Sequence, residues 1–512
     1  MAAPLRPKHP RIWKEVVICC LCAAAMSATF VWFCQRRNYA LYYGDAAAHV
    51  NIARKVVDSR TPGYEQLGTV WLPLPHILML PLVGNDELWR TGLAGAIPAA
   101  AAFVTAACFL YAAVRRATSS RAAAVAAAGA FTLNPNLLYL QSTPMTEPLA
   151  IACLTAAVYF CASFPARPRL WRAGAAGVAV LAATLTRYEG WFLLPLTAAF
   201  FLAAGSRKGA VLFALVAGLG PLYWLAHNFY GYGDPLEFYR GEHSARAIYA
   251  RGLAQGYVPP TDHNLENTWR YYRVAMETAL GRPLVWLGGA AVLAAAIRKP
   301  ARPLLLLAAP VPFYVASLYG GGTPLYLPSL PPYSYYNTRY ALAALPACAA
   351  GLGVLVSLAP RPILRAATAA ALLAVSLYGW ILRPQPESWI CWKESEVNSR
   401  GRRTWTAQAA QFFRERYERG DGILTASGDV LAVYQAAGIP LRETLHDGNR
   451  LPYYPAVARP DLFLRERWIV TYSHDPMAFN LSNPSRYGRL ARRVAVFSAA
   501  REPVIEIYRK NR

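Results

Sequence analysis

Long apolar runs constrain this chain more than any other feature. A helix needs about 20 consecutive apolar residues to cross the hydrocarbon core of a bilayer. Runs of that kind recur at residues 16–34, 89–113, 121–140, 146–164, 170–186, 190–205, 209–229, 281–297, 303–319, 339–358 and 362–382. The expected architecture is an α-helical polytopic membrane protein with about eleven spans. Residues 383–512 return to a soluble composition, although the whole chain of 512 residues is 55% hydrophobic.

A formal charge of +24 would suit a nucleic-acid partner, but the placement of the charges argues against one. Basic clusters occur at every second loop: Arg6, Lys8, Arg11 and Lys14; Arg115, Arg116 and Arg121; Arg167, Arg169 and Arg172. Arg207 and Lys208, then Arg298, Lys299 and Arg302, then Arg361 and Arg365 continue the series. Short loops rich in Lys and Arg stay in the cytoplasm. The alternation predicts a cytoplasmic N-terminus, an extracytoplasmic tail, and membrane lipids rather than nucleic acid as partners. On this topology Glu15 is the one cytoplasmic carboxylate, and the remaining acids lie outside or at outer helix ends. Polar chemistry is therefore expected at the outer face, in an inner (plasma) membrane of bacterial or archaeal type.

Of the cysteines, only Cys391 falls outside the apolar runs. It is expected to be exposed and cannot form a bridge within the tail, so no disulfide framework is implied. The first run, with its basic leader, reads as an uncleaved signal anchor.

Three outer segments are long. Residues 35–88 contain GDAAAHVNIARKVVDS, an amphipathic pattern starting near Asp45, followed by a Pro-rich apolar stretch suited to lying in the interface. Residues 230–280 are dense in Tyr, His, Arg and Glu, and residues 320–338 carry the Gly, Pro and Tyr of a flap. The chain divides into a membrane domain, 1–382, and a small α/β domain, 383–512. In the tail a helix is expected at 403–418, a strand at 422–427, and further strands in RWIVTYS, RVAVFS and PVIEIYR.

Carboxylates at the edge of hydrocarbon are costly and are candidates for function. Asp45 opens the interfacial helix, Glu147 lies between the runs 121–140 and 146–164, and Glu189 between 170–186 and 190–205. Each has a plainer reading. Asp45 can be an N-cap, Glu147 a first-turn acid favoured by the helix dipole, and Glu189 a partner of Arg187. Asp45 and His49 stand four apart and share a helix face, so with Glu147 they can hold a divalent cation; the alternative is a structural histidine. Arg54, His76, Arg187, His243 and Arg339 map to outer loops or helix ends, where an anionic lipid phosphate would need them. Snorkelling to headgroups is the plain alternative. No HExxH, CxxC pair or phosphate-cradling Gly loop occurs.

Tyr42, Asp45, His49, Ala53 and Arg54 form Y-x-x-D-x-x-x-H-x-x-x-A-R, and Asn134–Glu147 form N-P-x-x-x-Y-x-x-S-x-x-M-x-E. With TRYEGWFLLP at 186–195, these resemble the GT-C glycosyltransferases, in particular the protein O-mannosyltransferases of glycosyltransferase family 39 and the lipid A aminoarabinose transferases. The likeness extends in layout over residues 10–345. It implies transfer of a sugar from a polyprenyl-phosphate donor to an acceptor outside the membrane. Asp45 and Glu147 would be the first-loop and second-loop acids, and no nucleotide site would be needed. The first loop lacks the Asp-Glu pair of the O-mannosyltransferases, and the tail lacks the W-W-D-x-G of oligosaccharyltransferases. A polytopic transporter or flippase is the alternative class. It would favour repeats and ionisable residues at the membrane midplane, neither of which the chain displays.

Overall fold

The computed structural model describes residues 12–381, 386–426, 428–482, 490–500 and 502–511. The basic residues Arg6, Lys8 and Arg11 lie outside them. The apolar runs form helices. Six qualify as spans by length and composition: α1 (Trp13–Arg36), Leu93–Thr118, Arg207–Tyr232, Lys299–Tyr319, Thr338–Ser357 and Pro362–Ile381. A seventh is possible if Leu265–Leu280 and Leu284–Ile297 are counted together, across a bend of 111°. The run 121–140 divides into Arg121–Thr132 and Pro135–Leu140, because the side chain of Asn134 caps a new helix that begins at Pro135. The three expected spans 146–164, 170–186 and 190–205 are the shorter helices Glu147–Ser163, Leu170–Thr184 and Glu189–Ala203. At 1.5 Å per residue these are about 22–26 Å long, below the hydrocarbon thickness.

Helix Glu147–Ser163 packs between Leu93–Thr118 and Leu170–Thr184, and Arg207–Tyr232 closes on Leu170–Thr184 and Glu189–Ala203. Outward faces carry exposed Ile18, Leu21, Leu215, Leu219 and Leu222. A water-soluble surface does not carry apolar belts of this extent. The chain is an integral membrane protein.

The first outer segment folds as expected into two short helices, α2 (Gly44–Val57) and α3 (Leu74–Val83). Ala46, Ala47, Val50 and Ala53 are the buried stripe of α2, and Asp45 stands in its first turn, where a negative charge complements the dipole. In the tail, the helix runs from Ile390 to Arg416, beginning 13 residues before the expected start at 403. A five-stranded sheet follows: β1 (Ile423–Thr425), β2 (Thr444–Leu445), β3 (Trp468–Tyr472), β4 (Ala491–Phe497) and β5 (Ile505–Lys510). Its order is β2-β1-β3-β5-β4, with β1 parallel to β2 and β3, and β5 antiparallel to β3 and β4.

The tail does not sit apart. Val50 and Ala53 of α2, Met79 and Val83 of α3, and Trp89 share one core with Trp405, Phe413, Ile423, Val470 and Ile507. Cys391, expected to be exposed, is fully buried at the head of the Ile390–Arg416 helix. All nine cysteines are free thiols.

Candidate active site

Three helix starts converge. Asp45 lies in the first turn of α2, Glu147 begins the Glu147–Ser163 helix, and Arg339 is in the first turn of the helical segment Thr338–Ala344. Arg339 joins them. Its Nη2 donates to Asp45 Oδ2 at 2.5 Å and its Nε to Glu147 Oε1 at 3.1 Å. Its Nη1 reaches Glu394 Oε1 at 3.4 Å, and its guanidinium lies over the rings of Tyr43 and Tyr340.

Arg187 extends the network on the other side of Glu147. Nη1 donates to Glu147 Oε1 at 3.1 Å and to Thr146 Oγ1 at 2.9 Å. Nε donates to Glu189 at 2.6 Å, and Nη2 to the hydroxyl of Tyr314, which in turn donates to Glu189. The chain of contacts therefore runs Asp45–Arg339–Glu147–Arg187–Glu189, with Glu394 as a branch. Four carboxylates face two guanidinium groups.

Exposure separates their roles. The Asp45 side chain is 41% exposed, whereas that of Glu147 is 5% and that of Glu394 2%. Asp45 is the acid within reach of an incoming group. Glu147 Oε2 is buried and has no hydrogen-bond partner among the described residues. A cleft of about 510 Å³, counting its open mouth, runs from Glu147, Glu189, Arg339 and Tyr340 down between Ile151 and Leu193. Its head is charged and its depth apolar.

Other expected residues go elsewhere. His49 Nδ1 and His76 Nε2 share a hydrogen bond of 2.9 Å, and both rings are buried. Burial, reinforced by the charges of Arg187 and Arg339, pushes the His49 imidazole down to about 3. Burial likewise drives His76 well below the usual histidine range. The pair is neutral and sits one turn beyond Asp45 as a buttress. Among the described residues no group of three or more His, Cys, Asp or Glu side chains is placed to hold a metal ion, and His49 stands as in the alternative reading, a buried histidine with a histidine partner. Arg187 and Arg339, taken as groups for a lipid phosphate, already hold carboxylates.

Arg54 is a structural residue. It donates to Asp58 and Asp86 at 2.7 Å each and to the carbonyl of Val83, and stacks on Trp89, tying α2 to the end of α3. His243 is exposed in the second outer segment. The residue that sequence reasoning missed is Glu394. It lies in a polar, charge-rich stretch of the tail, far along the chain from the membrane-edge acids, and no spacing ties it to them.

Comparison with known proteins agrees with this architecture. Residues 84–225 match the family described as dolichyl-phosphate-mannose-protein mannosyltransferase, a segment that includes Glu147, Arg187 and Glu189. The crystal structure of ArnT from Cupriavidus metallidurans bound to undecaprenyl phosphate superposes with a TM-score of 0.53. It is 12% identical, over 94% of this chain and 97% of that one. The apo form of the same protein gives 0.52 at 13% identity, over 90% and 93%. An Archaeoglobus fulgidus oligosaccharyltransferase in complex with Zn and sulfate gives 0.50 at 12%, over 95% of this chain and 72% of that one. No curated protein sequence matches the chain significantly. The chain shares the fold of these structures, the GT-C fold.

Proposed function

We propose that this chain transfers a sugar from a polyprenyl-phosphate donor to an acceptor hydroxyl or amine at the extracytoplasmic face, with inversion at the anomeric carbon. The observation that carries the reading is one half-exposed carboxylate, Asp45, held by Arg339, whose own side chain lines the charged head of a cleft with an apolar depth. The prenyl chain lies in the apolar depth, and the sugar phosphate at the charged head. The ArnT structure that shares the fold holds undecaprenyl phosphate, which supports a lipid carrier of this kind.

Asp45 takes the proton from the acceptor as its oxygen or nitrogen bonds to the anomeric carbon. The bond from that carbon to the phosphate oxygen breaks, and polyprenyl phosphate leaves with the electron pair. A placed base contributes roughly 10²–10⁴ in rate. Charge growing on the leaving phosphate needs preorganised donors. A guanidinium has five N–H groups, and Arg339 spends three on Asp45, Glu147 and Glu394, which leaves two for phosphate.

The test is turnover of purified protein with a panel of polyprenyl-phosphate sugars, scored as release of free polyprenyl phosphate with and without EDTA. One donor is expected to turn over, and Asp45→Asn is expected to lose about 10²–10⁴ in kcat while remaining folded. Full activity in Asp45→Asn, or no donor accepted by the wild type, would overturn the reading and make a transport assay the next step.

A further inference from the structure

The three segments that deliver Asp45, Glu147 and Arg339 come from distant parts of the chain, and all three are hydrogen-bonded to one short stretch of the tail, Ser388–Ser395. Tyr43, two residues before Asp45, donates its hydroxyl proton to the carbonyl of Cys391 at 2.8 Å. Asn136, in the segment leading to Glu147, donates to the carbonyl of Ser388 and accepts from the backbone N–H of Cys391, each at 3.0 Å. In that same segment, the hydroxyls of Tyr139 and Ser395 are 2.8 Å apart.

The third segment is held most densely. Glu394 accepts from the backbone N–H of Asn337 at 2.9 Å and from that of Thr338 at 2.8 Å. It also accepts from the Thr338 hydroxyl at 2.5 Å and from Arg339 at 3.4 Å. A helix start leaves unpaired N–H groups that a carboxylate can satisfy. Segment Thr338–Ala344 has no cap from its own chain neighbourhood, since the Asn337 side chain makes no cap bond. Glu394 supplies that cap from more than 50 residues away, and the capped turn carries Arg339.

We propose that Glu394 is a positioning residue of the active site and that the start of the Ile390–Arg416 helix is the template on which the catalytic cluster is assembled. The tail is then part of the catalytic unit rather than an appended lid. Glu394 meets no substrate: it is 2% exposed and lies behind Arg339. It acts by fixing the direction in which Arg339 presents its remaining N–H groups and holds Asp45. The kinetic consequence rests on the transferase reading; the structural one does not.

The experiment uses the full chain in detergent or nanodiscs with Glu394→Gln, Glu394→Asp and Glu394→Ala. Three quantities are read: kcat and KM on the best donor, the thermal midpoint, and hydrogen exchange of the 337–344 amides. Glu394→Ala is expected to lower kcat at least tenfold with KM within about threefold. Glu394→Asp, which keeps the charge, should recover part of the loss. Exchange should rise in 337–344 and stay unchanged in the helices Leu93–Thr118 and Arg207–Tyr232. The proposal fails if kcat stays within twofold of wild type in all three variants. It also fails if activity is lost only in step with a global fall in thermal midpoint and protection. Should the wild type accept no donor, the transferase reading fails and the exchange arm alone decides: a local rise at 337–344 supports the template, and an unchanged pattern refutes it.

Discussion

Removing the charge of Arg339 would leave Glu394 buried without a cationic partner among the described residues, and Glu147 with Arg187 alone. The neighbouring His49–His76 pair responds to the opposite stress. In the unfolded chain the His49 imidazole titrates at its ordinary value of 6.5, whereas burial holds it at about 3 in the fold. Between those values the unfolded state binds a proton that the folded state refuses. The contribution to stability is therefore intact above pH 6.5 and lost as the pH falls towards 3, by up to about 1.4 kcal/mol per pH unit. His76 is pushed the same way, which adds to the slope. The thermal midpoint should fall between pH 7 and pH 5, and His49→Gln, whose amide can still meet His76, should flatten the fall. An unchanged slope in that variant would show that other groups set the acid limit.

At the scale of the elements, helix packing depends on a few glycines. Gly351 on the Leu345–Ser357 helix faces Gly288, where a Cβ would run into the carbonyl of Gly288 and the backbone of Val292. The reverse holds for Gly288, whose Cβ would meet the backbone of Cys348. Backbone cannot swing aside as a flexible side chain can, so Gly351→Ala must separate the helices. Overpacking of this kind costs about 1–3 kcal/mol. A lower thermal midpoint is expected for Gly351→Ala and none for Gly379→Ala, whose Cβ would meet open space on the Pro362–Ile381 helix. Equal midpoints would disprove the close approach. Small-residue spacing in the Ala-rich runs points to tight helix packing, and Gly288 and Gly351 are where that packing tightens. The run 121–140, expected as one span, breaks at Asn134-Pro135, an N-cap followed by a first-turn proline.

For the whole molecule, the alternation of basic loops predicts an N-terminus inside and a tail outside. Alkaline phosphatase fused after residue 512 should be active and a fluorescent protein there dark, with the reverse after Gly205, next to Arg207 and Lys208. Active phosphatase at Gly205 would invert the topology and place the cleft on the cytoplasmic side.

The membrane character, the positions of the apolar helices, four of the five strands of the tail and the choice of Asp45, Glu147, Glu189 and Arg187 as candidates came from the chain alone. Each is a local property: the length of an apolar run, an alternating pattern, a charge at the edge of hydrocarbon. Three things were not legible. Pairing Arg339 with Asp45 spans almost 300 positions in sequence, and no spacing rule operates over that distance. Arg54 reads as a phosphate ligand although Asp58, four residues on, offers it a partner at helix spacing; what the sequence does not show is that Asp86 turns back to meet it. Glu394 stood in a polar stretch ahead of the helix expected at 403–418, and it is part of the site because the tail helix starts at Ile390 and docks against the helix starts. Local periodicity records where a segment goes relative to water and lipid. Which charges face one another depends on how distant segments close over a shared interior, and that is settled only when the whole chain has packed.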